Sequence, residues 1–518
     1  MGISPALFNI ALLTSLSFML IGYDNGVIGG LTGTKSWNET FDNPTGSTLS
    51  TIVAIYEVGC FFGAVIALSI GERIGRKRSL AIGAVLMTIG ALLQGLAYGK
   101  PQLIAGRIVS GLGMGLINST APVLQAEVSP KASRGRYVCA QLSTLNFGIF
   151  LAYWLDYGTT RHYTSSFAFR FPLLFQLVII VPIFVLSFIV KESPRWLANH
   201  GRDEEALAVV ATLKGVDISS AEARESYQEI ADAVAYEKSV MVTGWRQMFA
   251  DDEMGTRRRL LIACSIQFFQ QLGGINAIIY YANFLFSNSL GFTNDKASLL
   301  SGALFTVFFG MSVSRSNRPR LVHDLRAPVL TSLFFLFMQF VPWALIDSLG
   351  RRPLLLGSIT GMAIIFACMC GATHQIQYKA ANSHGMGIFA VVLAFLYLSL
   401  FTIGFQATVW VYPPEILPLR IRAKGTALAT CCNWIINFTV VEIFPIAIDN
   451  IGWKTYIIFC VFNFSFVPVI YLFYPETKGK SLEEIDLLFS KTHATNIHDA
   501  KVERIEHRED TKTEISSV

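Results

Sequence analysis

The chain has 518 residues, of which 52% are hydrophobic and 15% charged, and its mean hydropathy is +0.48. A soluble domain carries roughly 25% charged residues, so this chain cannot cover a water-facing surface, which excludes a cytosolic enzyme, a nucleic-acid binder and a disordered scaffold. The net charge is small, +5, and its basic residues gather on one side of a membrane.

A spanning helix needs ~20 mostly apolar residues. Such runs lie near 6–23, 48–70, 80–98, 101–123, 137–157 and 169–190, and again near 259–286, 353–372, 386–412, 424–447 and 453–474. One more, irregular, lies between 298 and 346. This predicts an all-α membrane protein with twelve spans in two halves of six. The N-terminal half covers 1–190, a polar linker 191–258, the C-terminal half 259–474 and a polar tail 475–518. The first run leads into Asp24 with no small-residue cleavage site, so it reads as a retained helix. Helical patterns at Asp203–Lys214 and Ala221–Lys238 read as a solvated bundle under the membrane domain, and the mixed-charge tail reads as disordered. The eight cysteines (Cys60, Cys139, Cys264, Cys368, Cys370, Cys431, Cys432, Cys460) lie in apolar runs without metal spacing, and read as small buried hydrophobes.

Lys and Arg mark the cytoplasmic side. Alternate gaps carry Arg73, Arg76, Lys77 and Arg78, then Lys131, Arg134 and Arg136, then Arg351 and Arg352, then Arg420, Arg422 and Lys424; the others carry single charges such as Lys35, Arg161 and Lys379. Both termini are therefore expected in the cytoplasm. The sequon Asn38-Glu39-Thr40 then falls in the first outer loop, where Asn38 could carry a glycan.

The two halves repeat each other. Glu72-Arg-Ile-Gly-Arg-Lys77 follows the second span, and Asp347-Ser-Leu-Gly-Arg-Arg352 follows the eighth. Glu127-x-x-Pro130-x-x-x-Arg134 follows the fourth, and Glu415-x-x-Pro418-x-x-x-Arg422 the tenth. Glu192-Ser-Pro-Arg195 follows the sixth, and Pro475-Glu-Thr-Lys478 the twelfth. Parallel six-span repeats are a transporter architecture, with substrate bound near the midplane between halves. An acid and an arginine seven apart can bridge helix ends there. The paired residues Glu72, Arg76, Glu127, Arg134, Asp347, Arg351, Glu415 and Arg422 are thus candidates for a cytoplasmic gate.

With Gly22-Tyr-Asp-Asn-Gly26, Gly106-Arg-Ile-Val-Ser-Gly-Leu-Gly113, Gln270-Gln-Leu-Gly-Gly-Ile-Asn276 and Pro475-Glu-Thr-Lys-Gly479 added, the chain resembles a sugar porter of the major facilitator superfamily, in particular fungal monosaccharide transporters. The resemblance covers about 6–485. One departure is Glu72, where the family usually has Asp or Asn; an acidic charge is kept.

A sugar offers hydroxyls and nearly flat apolar faces, so its site needs amides, which donate and accept at once, and an aromatic platform. The amides in apolar runs are Gln141, Gln270, Gln271, Asn276, Asn433 and Asn437. On an ideal helix Gln270 and Asn276 stand about 120° apart and Gln271 and Asn276 about 140°, so they can border one cavity without sharing a stripe. Each alone could equally be interhelical glue. The resemblance assigns hydroxyl binding to Gln141, Gln270, Gln271, Asn276 and Asn433, the platform to Trp410 and an outer gate to Tyr280 and Tyr281. Proton coupling needs a buried acid whose proton affinity changes with conformation. Asp24 is that candidate and Arg107 its partner, as in the proton–sugar symporters the chain resembles. The alternative for the pair is a permanent structural bridge. Glu57 and Glu442 are rival intramembrane acids that lack an equally clear Arg. The expected partners are a monosaccharide (hexose or pentose), a proton and the bilayer, with no nucleic acid, cofactor, metal or catalytic group. The expected form is a plasma-membrane monomer. A facilitator and a non-transporting sensor are the alternatives; Asp24 argues against the first and the short tail against the second.

The eighth span is anomalous. A polar stretch, Met311 to Arg326, interrupts it, and removal of 310–339 joins Leu299–Phe309 to Phe340–Ile346 as one helix of about the right length. The insert reads like translated intron. Gly310-Met311-Ser312 can be encoded around GTATGT, Leu330-Thr331 fits CTAAC, Ser332 to Phe337 fits a pyrimidine tract and Met338-Gln339 an acceptor ending in CAG. The alternative is a genuine lineage-specific loop. With the insert present, span eight is expected from 328–346, with 299–326 pushed into an irregular excursion.

Overall fold

The computed structural model describes residues 4–129, 134–240, 248–250, 252, 255–313, 349–378, 383–406, 408–478, 485 and 488–489. All regular structure among them is helical. Six long helices form the first half: α1 (Pro5–Leu31), α2 (Gly46–Ile74), α3 (Arg76–Gly95), α4 (Lys100–Val128), α5 (Arg134–His162) and α6 (Phe167–Ile189). The linker holds Pro194–Asn199, Asp203–Lys214 and Ala221–Val240, matching the expected helical patterns. In the second half come α7 (Thr256–Leu272, then Ile275–Phe284), α8 (Asn294–Val313), α9 (Arg351–Gln377), α10 (Ser383–Phe401, then Thr408–Ile416), α11 (Arg422–Ile451) and α12 (Thr455–Phe473). Eight stretches of the described residues are long and apolar enough to cross a membrane. The outward faces carry bare large apolar side chains, such as Val178 at 61% and Leu472 at 66% exposure, a surface that suits lipid and not water.

The repeat seen in the sequence recurs in the packing. α1 lies along α5 and α3 along α6; in the second half α7 lies along α11 and α9 along α12. The halves meet through α2 against α11, α5 against α8, and α1 against the outer segment of α7. Small residues set these distances. A Cβ on Gly111 of α4 would sit 2.2 Å from the Tyr56 carbonyl of α2, so the helices touch backbone to backbone, and that contact delivers the side chains of α4 into the core.

Two expectations change. α8 is continuous helix through Val313, so 299–313 is not an irregular excursion. It is held by neighbours: Trp154 Nε1 donates to Thr306 Oγ1 at 2.8 Å, and Tyr153 stacks on Phe305 at 4.3 Å. The rest of the insert, 314–339, lies outside the described residues, as do Asp347 and most of the tail. The cysteines are not all buried: Cys368 is exposed, and Cys264, Cys370, Cys432 and Cys460 are partly so, because apolar runs in this fold also supply the outward faces. Cys139's surroundings lie outside the description.

Candidate transport site

α7 breaks at Gly273–Gly274. Gly274 has φ +92°, a left-handed conformation that glycine adopts without strain. The break frees the Gly273 carbonyl, which accepts from Tyr397 Oη at 2.6 Å and Asn463 Nδ2 at 3.3 Å. The broken ladder is thereby satisfied by side chains. The ideal-helix angles therefore do not apply across Gln270–Asn276. Asn276 Nδ2 donates to Gln271 Oε1 at 2.7 Å and to Asn437 Oδ1 at 2.7 Å.

From there one amide network runs between α7 and α11. Gln271 Nε2 donates to Asn433 Oδ1 at 3.0 Å, and Asn433 Nδ2 donates to Gln267 Oε1 at 2.7 Å and Gln270 Oε1 at 2.9 Å. Every member is less than a tenth exposed. Gln267 was missed in the sequence, although it lies one helical turn before Gln270 and Gln271 and so shares their face. A second amide pair joins the halves: Gln406 Nε2 of α10 donates to Asn146 Oδ1 of α5 at 2.9 Å. Gln141, on α5, is buried with an unpartnered Nε2. Trp410 lies half-buried in the last segment of α10, packed on the core.

Asp24 of α1 and Arg107 of α4 are both fully buried and lie 3.5 Å apart, Oδ1 to Nη1. Arg107 Nη2 donates to the Val53 carbonyl at 2.8 Å, and the guanidinium stands 4.4 Å over the Tyr56 ring. Asp24 Oδ2 has no hydrogen-bond partner. Tyr280 donates towards Glu57 of α2 and Asn25 of α1, while Tyr281 donates to the Val441 carbonyl at 3.0 Å. Glu57 meets the Tyr280 hydroxyl and, among the described residues, makes no ion pair with Arg107, whose partner is Asp24. Glu442 Oε1 of α11 accepts from Thr51 Oγ1 at 2.8 Å and Ser50 Oγ at 3.2 Å, both on α2. Asp156 of α5 is a buried acid the sequence did not single out, and both its carboxyl oxygens are unpartnered. It precedes Tyr-Gly-Thr-Thr-Arg, which reads as the edge of a loop.

In the second half the loop motifs pair differently from the expectation of an acid with an arginine seven apart. Arg76 takes Glu127 through two nitrogens, at 2.9 and 3.2 Å, and Glu72 at 2.9 Å. Arg351 takes Glu415 at 3.1 Å. Arg422 Nε donates to the Leu417 carbonyl at 3.1 Å; the side chain of Arg134 lies outside the description. The reason is that each acid ends a helix beside the start of a neighbouring one, where the arginine of the other motif stands. Asn38 sits half-buried on the short helix Lys35–Thr40.

Comparison with known proteins agrees with this architecture. The model of the "Sugar (and other) transporter" family matches residues 10–319 and 320–489. The chain belongs to the sugar porter family of the major facilitator superfamily. This porter is 37% identical to the "MFS-type transporter oryC" of Aspergillus oryzae, over 92% of this chain and 84% of that one. It is 36% identical to the "Sugar transporter STL1" of Saccharomyces cerevisiae, over 93% and 81%. Among solved structures it is similar to the proton:xylose symporter XylE bound to 6-bromo-6-deoxy-D-glucose, with 26% identity, a TM-score of 0.73, and 94% of this chain and 100% of that one covered. It is a multi-pass membrane transporter of the sugar family, and not an enzyme.

Proposed function

We propose that this porter carries a monosaccharide inward together with a proton, by alternating access between its two halves. The observation that carries the reading is the sealed Asp24–Arg107 pair, 3.5 Å apart with one carboxyl oxygen unpartnered. A carboxylate so buried is costly unless its partner is held close. Movement of α1 against α4 therefore changes its proton affinity. The amides Gln270, Gln271, Asn276 and Asn433, with Gln141 beyond them, supply paired donors and acceptors for hydroxyls, and Trp410 a ring face. Similarity to a proton:xylose symporter supports both halves of the reading.

The basic loops support an orientation with both termini cytoplasmic, which puts Asn38 outside and open to glycosylation; a monomer in the plasma membrane completes the proposal. The cross-half bonds at Glu442 and Trp154, in the outer thirds of their helices, and at Glu57, near mid-helix, support reading Tyr280 and Tyr281 as an outer gate. Residues 310–339 are proposed to be absent from the working form; the family match breaks at 319–320, inside that segment. The test is uptake of a panel of labelled sugars at two pH values in transporter-deficient cells. Accumulation driven by an inward proton gradient supports the reading; uptake indifferent to pH and to protonophores refutes it.

A further inference from the structure

Three groups at the meeting of α1, α2 and α4 carry formal charge: Asp24, Glu57 and Arg107. All are fully buried. Arg107 pairs with Asp24 and not with Glu57, so with both carboxyls ionised the cluster would hold a net negative charge away from water, which is strongly unfavourable. One bound proton makes it neutral. The geometry says where that proton can be satisfied. Asp24 already takes Arg107 at 3.5 Å. Glu57 meets the Tyr280 hydroxyl, which also lies 2.8 Å from Asn25 Oδ1. A hydroxyl donates a single proton. Either Glu57 is ionised and accepts from Tyr280, or it is protonated, donates to the Tyr280 oxygen, and leaves the Tyr280 proton for Asn25. The second arrangement satisfies Asn25 with its oxygen turned towards Tyr280, the orientation present here.

Tyr280 belongs to the outer segment of α7, just beyond the break, whereas Glu57, Asn25 and Arg107 belong to the other half. We infer that Glu57 is a second carboxyl of the coupling site, holding the proton while α7 is shut and tying that proton to the position of Tyr280. The inference rests on the proton-coupled reading above and deepens it. When α7 swings away, Glu57 loses its partner and meets the outer solution, from which a proton binds a carboxyl oxygen. When α7 returns, the neutral acid is sealed by Tyr280. The proton leaves to the inner solution once the halves rock the other way. The other groups facing Glu57 are Asp24 on α1, Arg107 on α4, Tyr280 on α7 and Asn437 on α11, with Tyr56 and Cys60 on its own helix. Glu442 stands further out on α11 and is occupied by Ser50 and Thr51.

The wild type tests proton coupling, and the substitutions test each acid's part in it. In Glu57→Gln, Asp24 and Arg107 form a permanent neutral pair. In Asp24→Asn, Arg107 is left to Glu57, which becomes permanently charged. Each variant should exchange sugar yet fail to accumulate it. The full chain, with the form lacking 310–339 beside it, is expressed in transporter-deficient cells and uptake is read between pH 5 and pH 8. Wild-type uptake should change about tenfold across this range, as one displaced titration implies, and Glu57→Gln by less than about twofold. Tyr280→Phe, which keeps the ring and removes the hydroxyl, should move the pH midpoint by about half a unit or more. If the wild type ignores pH and protonophores in both forms, the proton-coupled reading fails and Glu57 falls with it. If the wild type is coupled but Glu57→Gln keeps its profile and accumulation ratio, or Tyr280→Phe leaves the midpoint in place, Glu57 is not the carrier while Asp24 can still be. Sugar-induced thermal stabilisation of each purified variant distinguishes a folded, uncoupled protein from a misfolded one, and a misfolded Glu57→Gln leaves the decision to Tyr280→Phe.

Discussion

Glu192 closes the start of α3: its Oε1 accepts from the backbone N–H of Arg76 at 3.1 Å and its Oε2 from that of Lys77 at 3.2 Å. Glu476 does the same for α9, at 2.9 Å to Arg351 and 2.9 Å to Arg352. A carboxylate on the free N–H groups of a helix start is favourable through both charge and hydrogen bonding. Gly75 and Gly350, the residues before these helices, have φ of +94° and +96°, and a Cβ on either would lie 2.6 Å from the capping carboxylate. Gly75→Ala should therefore cost ~1–3 kcal/mol through strain and the displaced cap. Glu192→Ala should cost a similar amount. Thermal melting of the detergent-purified protein checks both, with a fall of about 1 °C per kcal/mol expected for a chain of this length.

Asn433 is the node of the amide network, since it serves Gln267, Gln270 and Gln271. Asn433→Ala leaves two amide oxygens and one amide nitrogen without partners, at about 1–3 kcal/mol for each group left unpaired. The expected result is at least a tenfold rise in the half-saturating sugar concentration, measured by uptake kinetics. An unchanged concentration would make the network interhelical glue alone.

Asp24→Asn should abolish accumulation against a gradient and spare exchange. Counterflow in preloaded vesicles, read beside net uptake, tests this directly. A variant that still concentrates sugar would leave the Asp24–Arg107 bridge with a structural role.

Glu442 holds α11 to α2 through Ser50 and Thr51. Glu442→Ala should loosen the outer closure, so that a Ser50→Cys side chain, buried at present, reacts faster with a membrane-impermeant thiol reagent added outside. Labelling is read peptide by peptide, so that the signal of Ser50→Cys is kept apart from that of the native cysteines. Equal rates with and without Glu442 would locate the seal elsewhere.

Sequencing the mature transcript settles residues 310–339. The codons should be absent from most of the message, and the form lacking them should transport more than the full chain. A message that always retains them, translated into a normally active porter, would make the segment a genuine part of α8.

The fold was legible because lipid imposes a simple code: long apolar runs, basic loops and a repeat with matched motifs in each half. The residues of the network were legible because amides are rare at such depth. Their contacts were not. Gln271 and Asn276 look well separated on an ideal helix, and the Gly273–Gly274 break that brings them within 2.7 Å depends on Tyr397 and Asn463, more than a hundred residues away. The pairing of Arg76 with Glu127, and of Arg351 with Glu415, was hidden for the same reason: spacing within a motif says nothing of which helix ends lie side by side. Asp156 escaped because its neighbours look like loop, and Gln267 because it precedes the motif that draws attention to its neighbours.

Because the Gly273 carbonyl is held by Tyr397 and Asn463, and not by the next turn of its own helix, α7 has a pivot where the main-chain ladder is already broken apart from the Gly274 N–H to Gln271 carbonyl bond at 3.1 Å. Residues 275–289 beyond it form an arm of about 20 Å at 1.5 Å per residue. A tilt of about 10° would carry its tip by about 4 Å and Tyr280, about 9 Å from the pivot, by about 1.5 Å, enough to stretch the Tyr280–Glu57 hydrogen bond while Gln270 and Gln271, on the fixed side of the pivot, stay where they are. The outer door can thus open without disturbing the inner half of the binding network, so a sugar would meet a site already half assembled.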